Sequence, residues 1–443
     1  MQCNSPPDRS GRRGRTPTEP IFERSGSTKG VNVTVSLSVN WLSRAQHRWW
    51  AAPYHPSVTA RLFAWLVLPL VVWACTGSTL RAADAPKTAI EAVSISKPFF
   101  NPTMGENIQI SFGVNSGGEL SVLVLDRDGF AVRSLVSRHL VKAGKLSYSW
   151  DGRNDQGGVV PDEAYSLKVD LTAGDGVRSY FPANSPPSDV KPEIGYYDRQ
   201  TSVFTYRLPA ACRVHIQAGL YHQDEKSGER DGPVLKTLVN REPRPAGPDI
   251  ETWNGLDETG SYYVPDLVDF AMAVAATNLP ENSMITVGNR REKFVDRARD
   301  RTGASLLTYS TTDHHHHASL SALDDVSPTL HARPSNASLR TGEQLWRVKG
   351  STLKGLLVLD GASATSFAKQ PGALVIFVDA RRVGANPAPK SGMPFEVPLR
   401  GLSPGPHIVA FDWTSDYGPV AVSSLRIEVP PLKDQARSGG AGE

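Results

Sequence analysis

The sequence predicts an all-β protein of tandem immunoglobulin-like or fibronectin-like antiparallel β-sandwiches behind a disordered N-terminal leader. Apolar and polar residues alternate over short segments such as Ile108 to Val114 and Tyr165 to Leu171, which is the period of a strand with one buried face. Turn-forming residues such as Asn115 to Gly118 separate these segments, at the spacing of about 8 to 12 residues that is typical of sandwiches. An internal repeat of about 100 residues indicates that each copy is a whole domain.

The N-terminal leader carries the signals of export. Residues Leu62 to Ala74 form an uncharged apolar run, whose length of about 13 residues fits the core of a signal peptide better than a membrane-spanning helix of about 20. We assign 61–85 to a signal peptide and 1–60 to a disordered extension, with a later start codon as the alternative. Val72 to Cys75 also resembles a lipoprotein cleavage box, which would make Cys75 a lipidation site and give a membrane anchor.

Composition and charge exclude two classes of protein. With 39% hydrophobic residues in 443, the chain is too polar for a polytopic membrane protein. Residues 1–85 hold 10 Lys and Arg against 4 Asp and Glu, which leaves 38 against 41 in the remainder. A body this close to neutral lacks the basic face of a nucleic-acid binder, so no nucleic-acid partner is expected.

Cysteine usage predicts a fold without covalent cross-links. Cleavage near Ala85 would leave Cys212 as the single cysteine, because Cys3 and Cys75 lie upstream. One cysteine forms no intramolecular disulfide. Cys212 is interpreted as a small buried residue rather than a nucleophile, since no His or Asn partner can be singled out.

The repeat is visible as shared landmarks in two segments. Motifs of the first copy recur 103 residues later: Leu135-Val136, Ala143-Gly144, Trp150-Asp151-Gly152 and Gly157 reappear as Leu238-Val239, Ala246-Gly247, Trp253-Asn254-Gly255 and Gly260. Strand residues further upstream match at an offset of 94, so the second copy has gained nine residues. The insertion falls in the polar stretch Tyr221 to Gly232, where a loop tolerates it.

The chain divides into domains and linkers at three kinds of feature: the repeat, the polar stretches and the return of apolar alternation from Leu345. We assign 90–180 to the first sandwich, 194–288 to the second, 289–340 to a polar linker, 341–431 to the third sandwich and 432–443 to a tail. Three prolines in Asn184 to Glu193 predict a stiff connection between the first two sandwiches, whereas the long linker predicts a third sandwich that moves independently.

The motifs of the first copy resemble a known family. Phe100-Asn101-Pro102, then W-D-G-x-[DN]-x-x-G from Trp150 to Gly157, then a closing Y-x-L-x-V strand resemble the immunoglobulin-like domain of the flagellar hook-capping family and its relatives in secreted bacterial proteins. The resemblance covers Pro98 to Ala173 and, with fewer matches, a second copy from Arg199 to Val287. It implies a sandwich fold and a scaffolding role rather than a reaction.

Aromatic residues of the repeat have two interpretations. Trp150 and Trp253 are predicted to be core anchors at strand ends, packed on the pairs that begin with Leu135 and Leu238. The alternative is that they are exposed platforms that stack on sugar rings. That alternative would require an exposed strip that includes some of Tyr221, Tyr262, Tyr263 and Trp413.

Two clusters have residue types that bind metals. Asp313 and His314, His315, His316 and His317 offer ligands for zinc, nickel or copper, but four consecutive histidines cannot all face one ion, so a polar linker is favoured. Asp151, Asn154, Asp155 and Asp162 offer oxygen ligands for calcium, although Asx residues also dominate tight turns for conformational reasons.

No serine elbow, metalloprotease helix, phosphate-binding loop or cysteine-pair zinc motif occurs in residues 86–443. The sequence therefore predicts no enzyme and no cofactor. We expect an exported, non-catalytic scaffold or adhesion protein of the bacterial cell envelope that binds a protein or polysaccharide of the cell surface. The location would be secreted, periplasmic or cell-surface, with membrane contact only through the lipid anchor. The alternative is a carbohydrate-binding accessory component of a polysaccharide-processing system.

Overall fold

The computed structural model describes residues 89–430, apart from 175, 224–229, 290, 295–296, 298–302, 309–327, 341, 343, 362–363, 365–371 and 416–417. Strands make up almost all of the regular structure in this part of the chain, with short 3-10 turns such as Val264–Asp266. The predicted all-β class of tandem immunoglobulin-like sandwiches is confirmed. No helix of the described part is long and apolar enough to cross a membrane.

The strands are numbered in chain order. Before the third sandwich they are β1 Ile90–Ile95, β2 Phe99–Phe100, β3 Ile108–Val114, β4 Gly118–Leu125, β5 Ala131–Val141, β6 Gly144–Trp150, β7 Ala164–Ala173, β8 Gly176–Tyr180, β9 Asp189–Val190, β10 Glu193–Asp198, β11 Val203–Leu208, β12 Cys212–Leu220, β13 His222–Gln223, β14 Arg230–Asp231, β15 Val234–Arg244, β16 Gly247–Thr252, β17 Phe270–Asn278 and β18 Met284–Thr286. The remainder are β19 Thr329–Pro334, β20 Ala337–Arg340, β21 Leu345–Val348, β22 Thr352–Asp360, β23 Ala373–Val378, β24 Arg381–Asn386, β25 Met393–Pro398, β26 Gly405–Ser415 and β27 Gly418–Val429.

The first sandwich packs two sheets face to face. One sheet has the order β1-β3-β6, and the other has the order β2-β18-β7-β4-β5, with β8 also paired to β7. Strand β3 shows why the sequence folds this way. Its residues Ile108, Ile110 and Phe112 are buried in the core, while Gln109 and Ser111 face away from it, as a period of two requires.

The second sandwich repeats this arrangement with the sheets β10-β11-β16 and β15-β12-β17-β9. Strand pairing has the same register in both copies. Val114 pairs with Gly144 in the first copy, as Leu208 pairs with Gly247 in the second. In the same way, Leu120 pairs with His139 in the first copy and Val214 with Glu242 in the second. The predicted repeat is thus confirmed at the level of individual residue pairs. The inserted residues lie around the hairpin of β13 and β14.

A bulge is also repeated at equivalent positions of β5 and β15. Both strands shift register against their partners, and Arg138 and Arg241 adopt φ angles of 50° and 55° there. Non-glycine residues seldom occupy this left-handed region, so the surrounding pairing must hold them in it.

The third sandwich contains the sheets β19-β22-β25 and β20-β21-β27-β26-β23-β24. Its core is built from inward-facing residues of both sheets, among them Leu357, Phe395 and Phe411. The rings of Phe395 and Phe411 lie 4.7 Å apart between centroids, so they join the two sheets across the core.

Strand β18 completes the first sandwich although it follows the second copy in the chain. It pairs antiparallel with β7 and parallel with β2, and Met284 is fully buried in the core of the first sandwich. Downstream, the N–H groups of Gly288 and Asn289 donate to the two carboxylate oxygens of Asp162 at 2.8 Å each. Gly288 has a φ of 101°, and a Cβ there would lie 2.3 Å from the Asn101 side chain, so this position requires glycine.

Two boundaries differ from those assigned from the sequence. Strand β18 lies within 194–288 but belongs to a sheet of the first sandwich. Strands β19 and β20 lie within the predicted linker 289–340 but belong to sheets of the third sandwich. Both differences have one cause, because short strands of three to six residues between polar stretches give a weak alternation signal. The predicted extension 1–60, signal peptide 61–85 and tail 432–443 lie outside the described residues.

Replacing Met284 by Ala should destabilise the first sandwich, because it removes a fully buried side chain from its core. We expect a loss of about 2–5 kcal/mol in the free energy of unfolding, seen as faster amide hydrogen exchange in β4 and β7. Met104 is 78% exposed, so Met104→Ala is the matched control and should leave exchange unchanged. Faster exchange confined to the second sandwich would contradict the assignment of β18.

Candidate functional site

The two repeat tryptophans lie in equivalent turns. Trp150 is fully buried and Trp253 is 5% exposed. Each indole Nε1–H donates to the carbonyl oxygen three residues further on, to Arg153 at 3.0 Å and to Leu256 at 2.8 Å. Buried indoles need such an acceptor, so the hydrogen bond fixes the turn that follows the strand.

Aromatic rings surround both tryptophans. Trp150 lies 5.5 Å from Phe100 and 5.3 Å from Tyr165 between centroids, both in edge-to-face geometry. Trp253 lies 5.1 Å from Tyr197. The two leucines predicted as their partners are half-buried. Leu135 packs on the core of the first sandwich. Leu238 packs on two apolar clusters, both of which contain buried residues of the second sandwich.

Four of the six rings considered for the sugar-platform hypothesis are buried, and the other two, Tyr221 and Tyr263, are half-buried. Trp150 and Trp253 are buried, and Tyr262 and Trp413 are only 5% and 2% exposed. A platform must present a free aromatic face to a sugar, and these four side chains do not.

The four Asx residues near Trp150 all accept hydrogen bonds from backbone N–H groups. Asp151 Oδ1 and Asn154 Oδ1 accept backbone N–H groups of their own loop at 3.1 and 2.8 Å. Asp155 and Asp162 accept backbone N–H groups of neighbouring segments at 3.0 and 2.8 Å. Within the described ranges no three His, Cys, Asp or Glu side chains are placed to hold a metal. The turn hypothesis accounts for Asp151 and Asn154, whereas Asp155 and Asp162 connect the loop to other segments of the chain.

Other predicted site residues carry no assembled chemistry in the described part of the chain. Cys212 is buried, and burial raises the pKa of its thiol to about 11, which keeps it protonated and a poor nucleophile. The Asp313 to His317 tract and Cys75 lie outside the described residues.

Buried polar contacts occur at two interfaces between neighbouring sandwiches. We call the contact between the first and second sandwiches the first joint, formed by Arg127, Glu163 and Arg213. Arg213 Nη2 lies 2.5 Å from Glu163 Oε1, and Arg127 Nη1 lies 3.0 Å from Glu163 Oε2. All three side chains are at most 5% exposed. Burial alone would raise the pKa of Glu163, but the two guanidinium groups hold it below the ordinary value.

Further contacts fix the three charged side chains of the first joint. Arg213 Nη1 donates to the carbonyl of Arg241 at 2.8 Å, so the strained bulge of the second copy supplies an acceptor. The Arg127 guanidinium lies over the Phe294 ring, 4.1 Å from its centroid. Thr286 Oγ1 donates to Pro161 O at 2.8 Å and accepts the Glu163 N–H at 3.1 Å. The Glu163 carboxylate is therefore held by two segments, those of Arg127 and Arg213, and the Glu163 backbone is held by a third, that of Thr286.

The second joint lies between the second and third sandwiches. Its apolar part is a single buried cluster to which both contribute: Ala218, Leu220, Leu235, Trp253, Tyr262 and Val264 from the second, and Phe377, Ala380, Ile408 and Ala410 from the third. This cluster does not fit the expectation of an independently moving third sandwich, because separation would break up an apolar cluster to which both sandwiches contribute buried side chains.

Hydrogen bonds cross the second joint inside this apolar surround. Tyr262 Oη donates to Ser424 Oγ at 2.8 Å, and Ser424 donates to Asp257 Oδ2 at 2.8 Å. Burial and the neighbouring Asp257 raise the pKa of Tyr262, so the phenol stays a donor. The Val234 N–H donates to Asp412 Oδ2 at 2.8 Å.

Sequence reasoning missed the residues of both joints. One signal was present: Asp412 interrupts the apolar segment Ile408 to Trp413, and Arg213 interrupts the apolar start of β12. A charged residue within an apolar strand indicates a buried, partnered charge. The partners themselves are far away in sequence and could not be read from it.

With the geometry established, comparison with known proteins identifies one domain. Residues 103–175 match the FlgD Ig-like domain. The match spans the Trp150 turn and strands β3 to β7, so the predicted resemblance is confirmed for the first sandwich. It does not extend to the rest of the chain. No curated protein matches the chain.

The comparison with solved structures gives matches of low identity and low TM-score. FlgD from P. aeruginosa is 17% identical, over 26% of this chain and 83% of its own, with a TM-score of 0.17. A tetra-tandem repeat in the extending region of a large adhesion protein is 13% identical, over 75% and 73%, with a TM-score of 0.15. The central fibronectin-III array of RIM-binding protein is 10% identical, over 78% and 98%, with a TM-score of 0.15. These low values carry no argument about function.

Two substitutions at Trp150 should separate packing from hydrogen bonding. Trp150→Ala in the full chain should lower the free energy of unfolding of the first sandwich by about 3–5 kcal/mol. Trp150→Phe keeps most of the buried ring but leaves Arg153 O without its donor, for a loss of about 1–3 kcal/mol. Denaturant unfolding measures both.

Tyr196 is 62% exposed, so Tyr196→Ala is the control for removal of an aromatic ring and should unfold like the wild type. A Trp150→Ala chain that unfolds at the wild-type midpoint would remove the core-anchor role from this residue.

Proposed function

We propose that this chain is an exported, non-catalytic scaffold of the bacterial cell envelope, which binds a protein partner and holds it at a spacing set by the sandwiches. The observation that carries the proposal is the pair of buried joints. Each joint ties two sandwiches together through polar groups that are almost completely removed from water, so the binding faces keep fixed positions relative to one another.

The state of the reactive side chains supports binding rather than catalysis. The buried Cys212 thiol is protonated, and the Asx residues near Trp150 are engaged by backbone N–H groups. The buried charged groups of the first joint pair with each other, and in the second joint Asp257 accepts a hydrogen bond from Ser424. Perturbed pKa values also arise in structural networks of this kind, and that role fits their position between domains.

A protein partner is favoured over a polysaccharide. Sugar recognition usually depends on exposed aromatic faces, and the tryptophans of the repeat are buried. The sheet β10-β11-β16 instead exposes Tyr196 and Ile250, at 62% and 58%, and such mixed aromatic and aliphatic side chains are typical of protein contacts. Export by the predicted signal peptide would bring these faces to the cell envelope.

Cell fractionation and photo-cross-linking test the proposal together. Mass spectrometry of the envelope fraction should find a mature chain that begins near Pro86, or an acylated Cys75 if the lipoprotein box is used. A photo-reactive residue in place of Tyr196 should give discrete protein adducts in whole cells. The same residue in place of the buried Tyr165 is the control and should give none.

Three outcomes would contradict the proposal. The chain could stay in the cytoplasm with residues 1–60 intact, which removes export. Cross-linking at Tyr196 could match the Tyr165 control, which removes a protein partner on this face. Retention of the purified chain on cell-surface polysaccharide, with no protein adduct, would favour the carbohydrate-binding alternative.

A further inference from the structure

Asp412 occupies an unusual position in the second joint. It lies in the middle of β26, between Phe411 and Trp413, and is 2% exposed. Its Oδ2 accepts the Val234 N–H from the second sandwich at 2.8 Å. Its Oδ1 is buried and has no hydrogen-bond partner in the described part of the chain. A carboxylate with one unsatisfied oxygen in an apolar surround is strongly disfavoured, whereas a carboxylic acid is tolerated.

The charged groups around Asp412 do not neutralise it. Asp231 approaches from the second sandwich and disfavours a second negative charge. Tyr262, in the segment after β16, senses the charge of Asp412, and Asp257 and Arg426 on β27 act on Tyr262 in turn. Strands β15 and β23 present Val234 and Val375 to it, which carry no charge. Among the residues described, no Lys, Arg or His forms an ion pair with Asp412.

We propose that the second joint is a pH-sensitive contact, closed when Asp412 is protonated and loosened when it ionises. Burial and Asp231 raise the pKa of this carboxyl well above its ordinary value, and the Val234 N–H opposes them only in part. The closed joint therefore favours the neutral acid, while an opened joint returns the side chain to water, where its pKa is about 3.9.

The direction of the effect follows from these two states. Below about pH 4 the acid is neutral in both, and closure is at its most favourable. As the pH rises, the open state loses its proton first, so the closing equilibrium constant falls by up to about tenfold per pH unit. The fall ends when the pH passes the pKa of the closed state. Opening would expose the apolar cluster shared by the second and third sandwiches, so the chain would change its binding surface with pH.

A further titratable group, His407, lies on the same strand as Asp412, and its effect must be separated in the test. His407 Nδ1 lies 2.8 Å from Asp379 Oδ2, and its Nε2 lies 2.8 Å from Ser403 O. Burial alone would lower the pKa of His407, but the hydrogen bond to Asp379 raises it. Asp379 and His407 adjoin Ala380 and Ile408 of the second joint, so the Asp412→Asn variant, which keeps this titration, separates its effect on Val234 from that of Asp412.

Amide hydrogen exchange of Val234 measures the closing constant directly, because its acceptor lies across the joint. Exchange of the full chain is followed from pH 5 to 8 and corrected for the intrinsic pH dependence of amide exchange. We expect protection of Val234 to fall as the pH rises in the wild type. In Asp412→Asn, which cannot ionise, protection should be independent of pH. Amides of β7 in the first sandwich are the internal reference and should show no trend.

Ser424→Ala is the matched control, because it removes two hydrogen bonds across the same joint without removing the titrating group. It should lower protection of Val234 by a constant factor and keep the wild-type slope. A flat wild-type profile, or a slope that persists in Asp412→Asn, would overturn the proposal. If Asp412→Asn does not fold, the ¹³C carboxyl shift of Asp412 in the wild type decides: a midpoint near pH 4 would overturn it equally. Neither result depends on an envelope partner, so the proposed function is tested separately.

Discussion

A buried polar group must find a partner, and in this chain the partner is supplied by the neighbouring sandwich. Glu163 of the first sandwich meets Arg213 of the second, and Asp257 of the second meets Ser424 of the third. Separating either pair would leave a buried charge or hydroxyl without its partner, which is strongly unfavourable unless water enters. While both joints are closed, these contacts hold the three sandwiches in one arrangement.

The architecture of each module was predictable because it is encoded locally. Alternation of apolar residues in β3 and the turn after Trp150 each depend on a few neighbouring residues. The repeat offset of 103 residues then predicted that Trp253 and its turn are equivalent to Trp150 and its turn. In the structure both copies have the same strand register and the same bulge, at Arg138 and at Arg241. The match of residues 103–175 to the FlgD Ig-like domain agrees with the motifs from which the resemblance was inferred.

The joints were not predictable from the sequence, because their partners are far apart along the chain. Arg213 lies 50 residues from Glu163, and Ser424 lies 167 residues from Asp257. Strand β18 has only three residues, too few to show a period, yet it completes a sheet begun more than 100 residues earlier. The long polar stretch before β19 predicted independent motion of the third sandwich. The prediction failed because the composition of a linker carries no information about the faces of the sandwiches that it connects.

The central claim is that the second and third sandwiches hold together through their shared surface rather than through the connecting segment. The most direct test is to place a specific protease site within residues 309–327 and cleave the folded chain at pH 6. The account predicts that the two fragments elute together in size-exclusion chromatography at micromolar concentration and separate only when unfolded. Fragments that separate on cleavage, while each keeps its β-sheet circular dichroism, would show that the connecting segment alone joins them.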